Sequence, residues 1–137
     1  MIIVDDRLSL EVLAGRRTFS ASGPVATTWS FHYRLLRALA QEARLRALTT
    51  ADAKALRRLA ADPPADRLTV LDPRQVTDRA AELARRHRLN LLAAELMASA
   101  RIHRATVVLS TGNVGRAWPA AFEVERLELR VEGAGAE

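Results

Sequence analysis

Apolar positions along this chain fall into short branched runs separated by longer stretches with helical spacing. Residues 1–4 are entirely apolar and lead directly into Asp5. This pattern is typical of a buried parallel strand whose carboxyl end opens into a site. Residues 68–71 and 106–110 have the same character, and residues 124–131 are the expected final strand.

Between these runs, apolar residues recur every three or four positions, which predicts amphipathic helices. Gly15 is expected to close the first helix, Thr27 or Thr28 to cap the second, and Asp72 to cap the fourth. Residues 16–24 are predicted as a loop and residues 110–115 as a turn. The predicted helices cover residues 8–13, 28–44, 49–61, 73–87 and 91–102.

Strands separated by helices predict the α/β class, as a three-layer α/β/α sandwich around a mainly parallel sheet. We expect residues 1–132 to form a single domain and residues 133–137 to form a disordered tail. In such sheets the carboxyl ends of strands meet at one edge, where ligands gather. The prediction therefore brings Asp5 and Ser110 to the same edge.

Composition narrows the class of protein. Of the 137 residues 49% are hydrophobic, which fits a globular chain, and there is no cysteine for a disulfide or a thiolate metal site. No apolar run approaches the ~18 residues that would span a bilayer, so we expect a cytoplasmic protein with no membrane partner. His32, His87 and His103 lack the spacing of zinc ligands.

The basic residues are nearly all arginine. Lysine and arginine total 21 against 16 acids, for a net charge of +5, and only Lys54 is a lysine. Arginine binds phosphate oxygens in a bidentate manner, so one interpretation is a phosphate-facing surface. The other is a composition bias, because alanine is abundant as well. With only 4% aromatic residues, we expect Trp29 and Trp118 to pack in the core rather than to stack on bases.

Two stretches carry a family resemblance. The chain opens with Ile-Ile-Val ending on Asp5 and a leucine-rich helix, and residues 80–84 (Ala-Ala-Glu-Leu-Ala) precede an alanine-rich helix and residues 105–109 (Ala-Thr-Val-Val-Leu). In this order and spacing the chain resembles the PIN-domain ribonucleases, in particular the VapC-like toxins. The resemblance implies clustered carboxylates that hold Mg²⁺ or Mn²⁺ for attack on RNA phosphate, an antitoxin-like protein partner, and a homodimer.

Most of the acids that the resemblance implies are replaced. Asp5 matches the first acid, whereas Arg34 stands at the second and Ala93 at the third. The fourth falls among Thr111, Gly112 and Asn113. An alignment shifted by two residues places Glu95 at the third position instead.

The residues at these positions favour a site without metal. One carboxylate holds a hard cation poorly, and we expect Arg7 and Arg34 to pair with Asp5 in place of a cofactor. The interpretation is a VapC-like protein that has lost endoribonuclease activity and acts by binding RNA or a protein. The alternative is an active Mg²⁺- or Mn²⁺-dependent endoribonuclease that uses Asp5, Asp6 and Glu95.

Overall fold

Within the part of the chain that the structure describes, five parallel strands form the centre of the fold. The computed structural model describes residues 1–19, 23–41 and 50–133. The strands are β1 (Ile2–Val4), β2 (Val25–Thr27), β3 (Thr69–Val70), β4 (Thr106–Ser110) and β5 (Leu129–Glu132), and their order in the sheet is β3-β2-β1-β4-β5. Every pairing is parallel, with Ile3 opposite Ala26 on one side and Val107 on the other.

Six helices of the described residues cover the sheet. They are α1 (Asp6–Leu13), α2 (Trp29–Ala40), α3 (Thr50–Ala61), α4 (Thr77–His87), α5 (Leu91–His103) and α6 (Trp118–Val124). Short 3₁₀ turns at Pro73–Gln75 and Thr111–Asn113 lead into α4 and away from β4. Among the described residues no helix has the length and apolar character needed to cross a membrane.

Alternating side chains of the strands supply two separate cores. Ile2, Val4 and Val108 pack on one face of the sheet with apolar residues of α1, α2 and α3. Ile3 and Val107 pack on the other face with residues of α4, α5 and α6, and with Phe31 from α2. A sheet with helices on both faces is the predicted three-layer α/β/α sandwich, so the predicted fold class is confirmed.

Three elements differ from the expectation. Strand β2 was not predicted and lies between the predicted loop 16–24 and the predicted helix, because three residues are too short to show a period. The predicted strand 124–131 begins only at Leu129, and Val124 ends α6. Helix α6 was missed although Pro119 stands in its first turn, where proline favours a helix start.

The predicted cap of the fourth helix is wrong, because Asp72 caps only the 3₁₀ turn and α4 begins at Thr77 without a side-chain cap. The caps predicted for the first two helices agree with the structure. Thr28 caps α2 by accepting a hydrogen bond from the Phe31 amide, and Gly15 follows α1 with a φ of +75°. Helix α2 ends at Ala40, and the predicted continuation over residues 42–44 lies outside the described residues. Residue 49 of the predicted third helix and residues 134–137 of the predicted tail also lie outside them.

Candidate functional site

Asp5 lies at the carboxyl end of β1 and is completely buried. It caps α1, since its Oδ1 accepts a hydrogen bond from the Leu8 amide at 2.9 Å. Its Oδ2 accepts from the Ser110 amide at 2.6 Å and from the Ser110 hydroxyl at 2.5 Å. The carboxylate therefore joins the ends of β1 and β4, which confirms that Asp5 and Ser110 meet at one edge of the sheet.

Asn113 adds a fourth donor to this carboxylate. Its Nδ2 lies 3.0 Å from Asp5 Oδ2 and 2.8 Å from Asp6 Oδ1, so the amide bridges the two neighbouring acids. Oδ2 of Asp5 thus accepts three hydrogen bonds and Oδ1 accepts one. A carboxylate offers about four lone-pair sites in total, so the four protein donors equal that number, with three of them on Oδ2.

Arg34 contacts Asp6 rather than Asp5. Its Nε lies 3.6 Å from Asp6 Oδ2, and its Nη2 donates to Asn113 Oδ1 at 3.4 Å. The guanidinium also lies over the Phe31 ring, with its Cζ 5.7 Å from the ring centroid. The position that the resemblance assigns to a second acid is therefore occupied by a cation placed beside the site.

The expected pairing of Arg7 and Arg34 with Asp5 is wrong. Within the described part of the chain no arginine nitrogen lies within 4 Å of that carboxylate, because amide and hydroxyl donors already surround it. Arg7 is exposed, and its Nη1 lies 3.6 Å from the point where a Cβ on Gly112 would stand. It therefore adds positive charge at the rim without entering the buried site.

Glu95 accepts hydrogen bonds from the first turn of α2. Its Oε1 accepts from the Ser30 amide and its Oε2 from the Ser30 hydroxyl, both at 2.9 Å. Because the first amides of a helix lack partners within it, a carboxylate there is favoured. Ala93 is fully buried in α5, and its amide donates to the N-cap Asn90.

The carboxylates of the alternative catalytic set do not form a metal centre. Among the residues that the structure describes, no group of three or more acidic or histidine side chains could hold a metal ion. Thr111 is exposed and its hydroxyl bonds to the Glu132 carbonyl, so of residues 111–113 only Asn113 binds the buried acid.

A cationic cavity adjoins the site. It has a volume of about 280 Å³ and is lined by Asp6, Arg34, Arg37, Ala38 and Gln41. Arg37 is exposed, and no carboxylate of the described residues lies within 4 Å of it. One acid and two guanidinium groups give the lining a net positive charge, which suits an anion such as a phosphate. Arg37 was not among the predicted site residues, although its position three residues after Arg34 on one helix places both side chains on the same face.

The basic residues at the ends of α4 and α5 bind an acid of the same chain. Arg86, His87 and Arg101 converge on Glu125, whose side chain is almost fully buried, at N–O distances of 3.0, 2.7 and 3.0 Å. The hydrogen bond from His87 lowers the pKa of Glu125, and Arg86 acts in the same direction. These contacts link α4, α5 and the end of α6, so the three side chains are not a free basic surface.

Comparison with known proteins adds a fold relationship. No protein-family model and no curated protein sequence matches this chain. Its structure is similar to a chain of a toxin–antitoxin complex from Klebsiella pneumoniae, with a TM-score of 0.55 and 15% sequence identity. The match covers 79% of this chain and 84% of that chain. At this identity the likeness concerns the fold, which this chain shares with a component of a toxin–antitoxin complex.

Proposed function

We propose that this chain is a VapC-like protein of the PIN-domain fold that binds single-stranded RNA without cleaving it. The observation that carries the proposal is Arg34, which stands beside Asp6 and lines the cationic cavity. A cation supplied by the chain itself can hold a phosphate where the resemblance implies a metal ion. Binding in this way needs no cofactor.

The state of the carboxylates supports the loss of cleavage. Magnesium and manganese need several oxygen ligands, and metal-dependent phosphodiester cleavage needs carboxylates that converge on one point. Asp5 has both oxygens occupied by protein donors, and Glu95 is bound to the N-terminus of α2. Asp6 remains, with Arg34 beside it.

Metal titration and a cleavage assay test this proposal together. The wild-type protein is expected to bind a single-stranded RNA in EDTA, to leave it intact with Mg²⁺ or Mn²⁺, and to gain no thermal stability from either metal. Arg34→Glu is expected to weaken RNA binding and to introduce a manganese-dependent rise in Tm, because it replaces a cation with a carboxylate next to Asp6. Arg79→Gln, which removes an exposed charge from α4, is the control. Magnesium-dependent cleavage by the wild-type protein that Asp5→Asn abolishes would overturn the proposal and favour the endoribonuclease.

A protein partner is a second candidate, and the similarity to a toxin–antitoxin complex favours it. In this version the chain binds an antitoxin-like protein. We also propose that the chain forms a homodimer. Helices α5 and α6 expose the large apolar residues Leu91, Ile102 and Val124, which a second copy would cover. Light scattering should then give a species of twice the 15.1 kDa chain mass, whereas a monomer at micromolar concentration would count against the dimer.

A further inference from the structure

The exposed side of α2 carries an aromatic pair beside the cationic cavity. Trp29 is 40% exposed and Tyr33 is 55% exposed, although a core position was expected for the tryptophan. Trp118, by contrast, is 7% exposed and packs in the core. The aromatic rings of Trp29 and Tyr33, called the aromatic ledge below, meet edge to face with centroids 5.8 Å apart.

The ledge forms one wall of a groove between α2 and α5. This groove has a volume of about 430 Å³, and its other lining residues are Ser30, Arg34, Leu91 and Leu92. Leu91 is 67% exposed, so the groove presents an apolar surface to solvent. A contiguous apolar patch that is exposed to solvent often marks a binding surface, whereas single exposed apolar residues do not.

Arg34 joins the groove to the cationic cavity, because its side chain lines both. Tyr33 and Arg37 lie one helical turn apart, about 6 Å along the axis of α2. A flat apolar surface and a site for an anion therefore stand side by side on one helix. The two cavities together fall within the ~300–1,000 Å³ typical of ligand sites.

We propose that the aromatic ledge and the cationic cavity form one subsite for a nucleotide unit, with the base stacked on Trp29 or Tyr33 and the phosphate held by Arg34 and Arg37. Every nucleobase has a π-face, so stacking on such rings is tolerant of sequence. In an edge-to-face pair the ring that presents its edge keeps both faces clear of its partner. The net charge of +5 favours the same anionic ligand.

Glu95 positions this subsite. By accepting both hydrogen bonds from Ser30, it ties the first turn of α2 to α5. That turn carries Trp29, and Leu91 and Leu92 of the opposite wall lie in the first turn of α5. The two walls of the groove are thereby held together by a buried carboxylate.

The inference rests on the proposed RNA binding, and its test separates the two. Three probes are compared by fluorescence anisotropy or competition: a labelled oligoadenylate of about ten nucleotides, an abasic ribose-phosphate oligomer of the same length, and adenosine 5′-monophosphate. Trp29→Ala and Tyr33→Ala are each expected to weaken oligoadenylate binding roughly 5- to 100-fold and to leave abasic binding unchanged. Trp29→Phe and Tyr33→Phe retain a ring and are expected to retain most of the affinity. Competition by the mononucleotide would identify a free nucleotide, rather than a strand, as a sufficient ligand.

Val131→Ala removes an exposed apolar side chain from β5, outside the groove, and is the matched control. Circular dichroism should show every variant folded, since Trp29 and Tyr33 lie at the surface, 40% and 55% exposed, and belong to neither core cluster. If the alanine variants bind both oligomers as the wild type does, RNA binding stands and the aromatic subsite is wrong. If the wild type binds none of the three probes, both proposals fail. A dimer that Trp29→Ala or Tyr33→Ala dissociates would show instead that a second copy covers the ledge, and would overturn the subsite.

Discussion

Asp5 occupies the position that the resemblance assigns to a catalytic acid, and in this structure its carboxylate holds the ends of β1 and β4 together. The sequence places it after a buried strand, and that placement alone was enough to predict the edge at which it lies. Its partners could not be predicted in the same way. Three of its four hydrogen bonds come from Ser110 and Asn113, more than 100 positions away, as an amide, a hydroxyl and a carboxamide that carry no charge pattern. Arg7 and Arg34 were predicted as its partners because opposite charges can be read from a sequence, whereas the geometry of neutral donors cannot.

Asp5→Asn is expected to lower the free energy of unfolding by about 2–3 kcal/mol. The NH₂ group of the asparagine would lie against N–H or O–H donors that now bind the carboxylate, and these buried donors would lose their acceptor. Asp6→Asn is the control, with an expected loss below about 1 kcal/mol, since its partner Arg34 is half exposed and screened by solvent. Urea denaturation of both variants measures the difference. Equal stability of Asp5→Asn and the wild type would show that the carboxylate does not hold β1 to β4.

His32 gives the protein a pH-dependent stability. It is almost fully buried in α2, and burial lowers the pKa of its imidazole, with a hydrogen bond to the backbone of Ala60 acting in the opposite direction. A lowered pKa means that the unfolded chain takes up this proton first, so stability is complete above about pH 6.5 and falls as the pH drops toward the folded value. Unfolding free energies between pH 8 and 5.5 should therefore decrease, and His32→Gln should reduce that slope. His103→Gln, at a less buried position on α5, is the control, and an equal change in both variants would contradict the assignment to His32.

At the scale of elements, the helices were easier to predict than their exact ends. An apolar stripe over three helical turns is still recognisable when a few of its positions are polar. Strand β2 has only three residues and therefore offers no period to detect. Helices α4 and α5 both end on an arginine in the left-handed region, Arg88 at φ 54° and Arg104 at φ 51°. Glycine is the usual residue at such an end and marked the end of α1. The ends of α4 and α5 were predicted without it, at residues 87 and 102, and lie within one residue of the observed ends.

Arg88→Gly is expected to stabilise the protein by about 0.5–1 kcal/mol, because a left-handed backbone is strained by a Cβ and relaxed without one. Arg85→Gly is the matched control: it makes the same change three residues earlier, inside α4, where glycine should cost about 1 kcal/mol. Thermal unfolding of the two variants should give shifts of opposite sign. A loss of stability in both would mean that the side chain of Arg88 contributes more than its backbone conformation costs.

For the whole molecule, the fold class could be predicted and the groove between α2 and α5 could not. Alternation of strands and helices is enough for a parallel sheet covered on both faces, since parallel strands require crossovers. The groove, however, depends on which face of α2 stays outside. Trp29 and Tyr33 are residue types that usually lie in a core. They face solvent here because Phe31 and Leu35 of the same helix pack into the two cores. The sequence pattern alone does not show which aromatic residues of an amphipathic helix remain at the surface after the core has packed.

Salt dependence should show whether RNA binding uses this surface or the overall charge. Each phosphate contact on a single strand contributes about −0.7 to the slope of log affinity against log salt, so Arg7, Arg34 and Arg37 together predict a slope of about −2. Arg37→Gln should reduce its magnitude by about 0.7, because this side chain has no carboxylate of the described residues within 4 Å and lines the cationic cavity. Arg79→Gln changes the net charge by the same single unit on α4 and should leave the slope unchanged. Anisotropy titrations with oligoadenylate at several salt concentrations measure both, and an equal effect of the two substitutions would mean that the +5 charge acts diffusely rather than through a site.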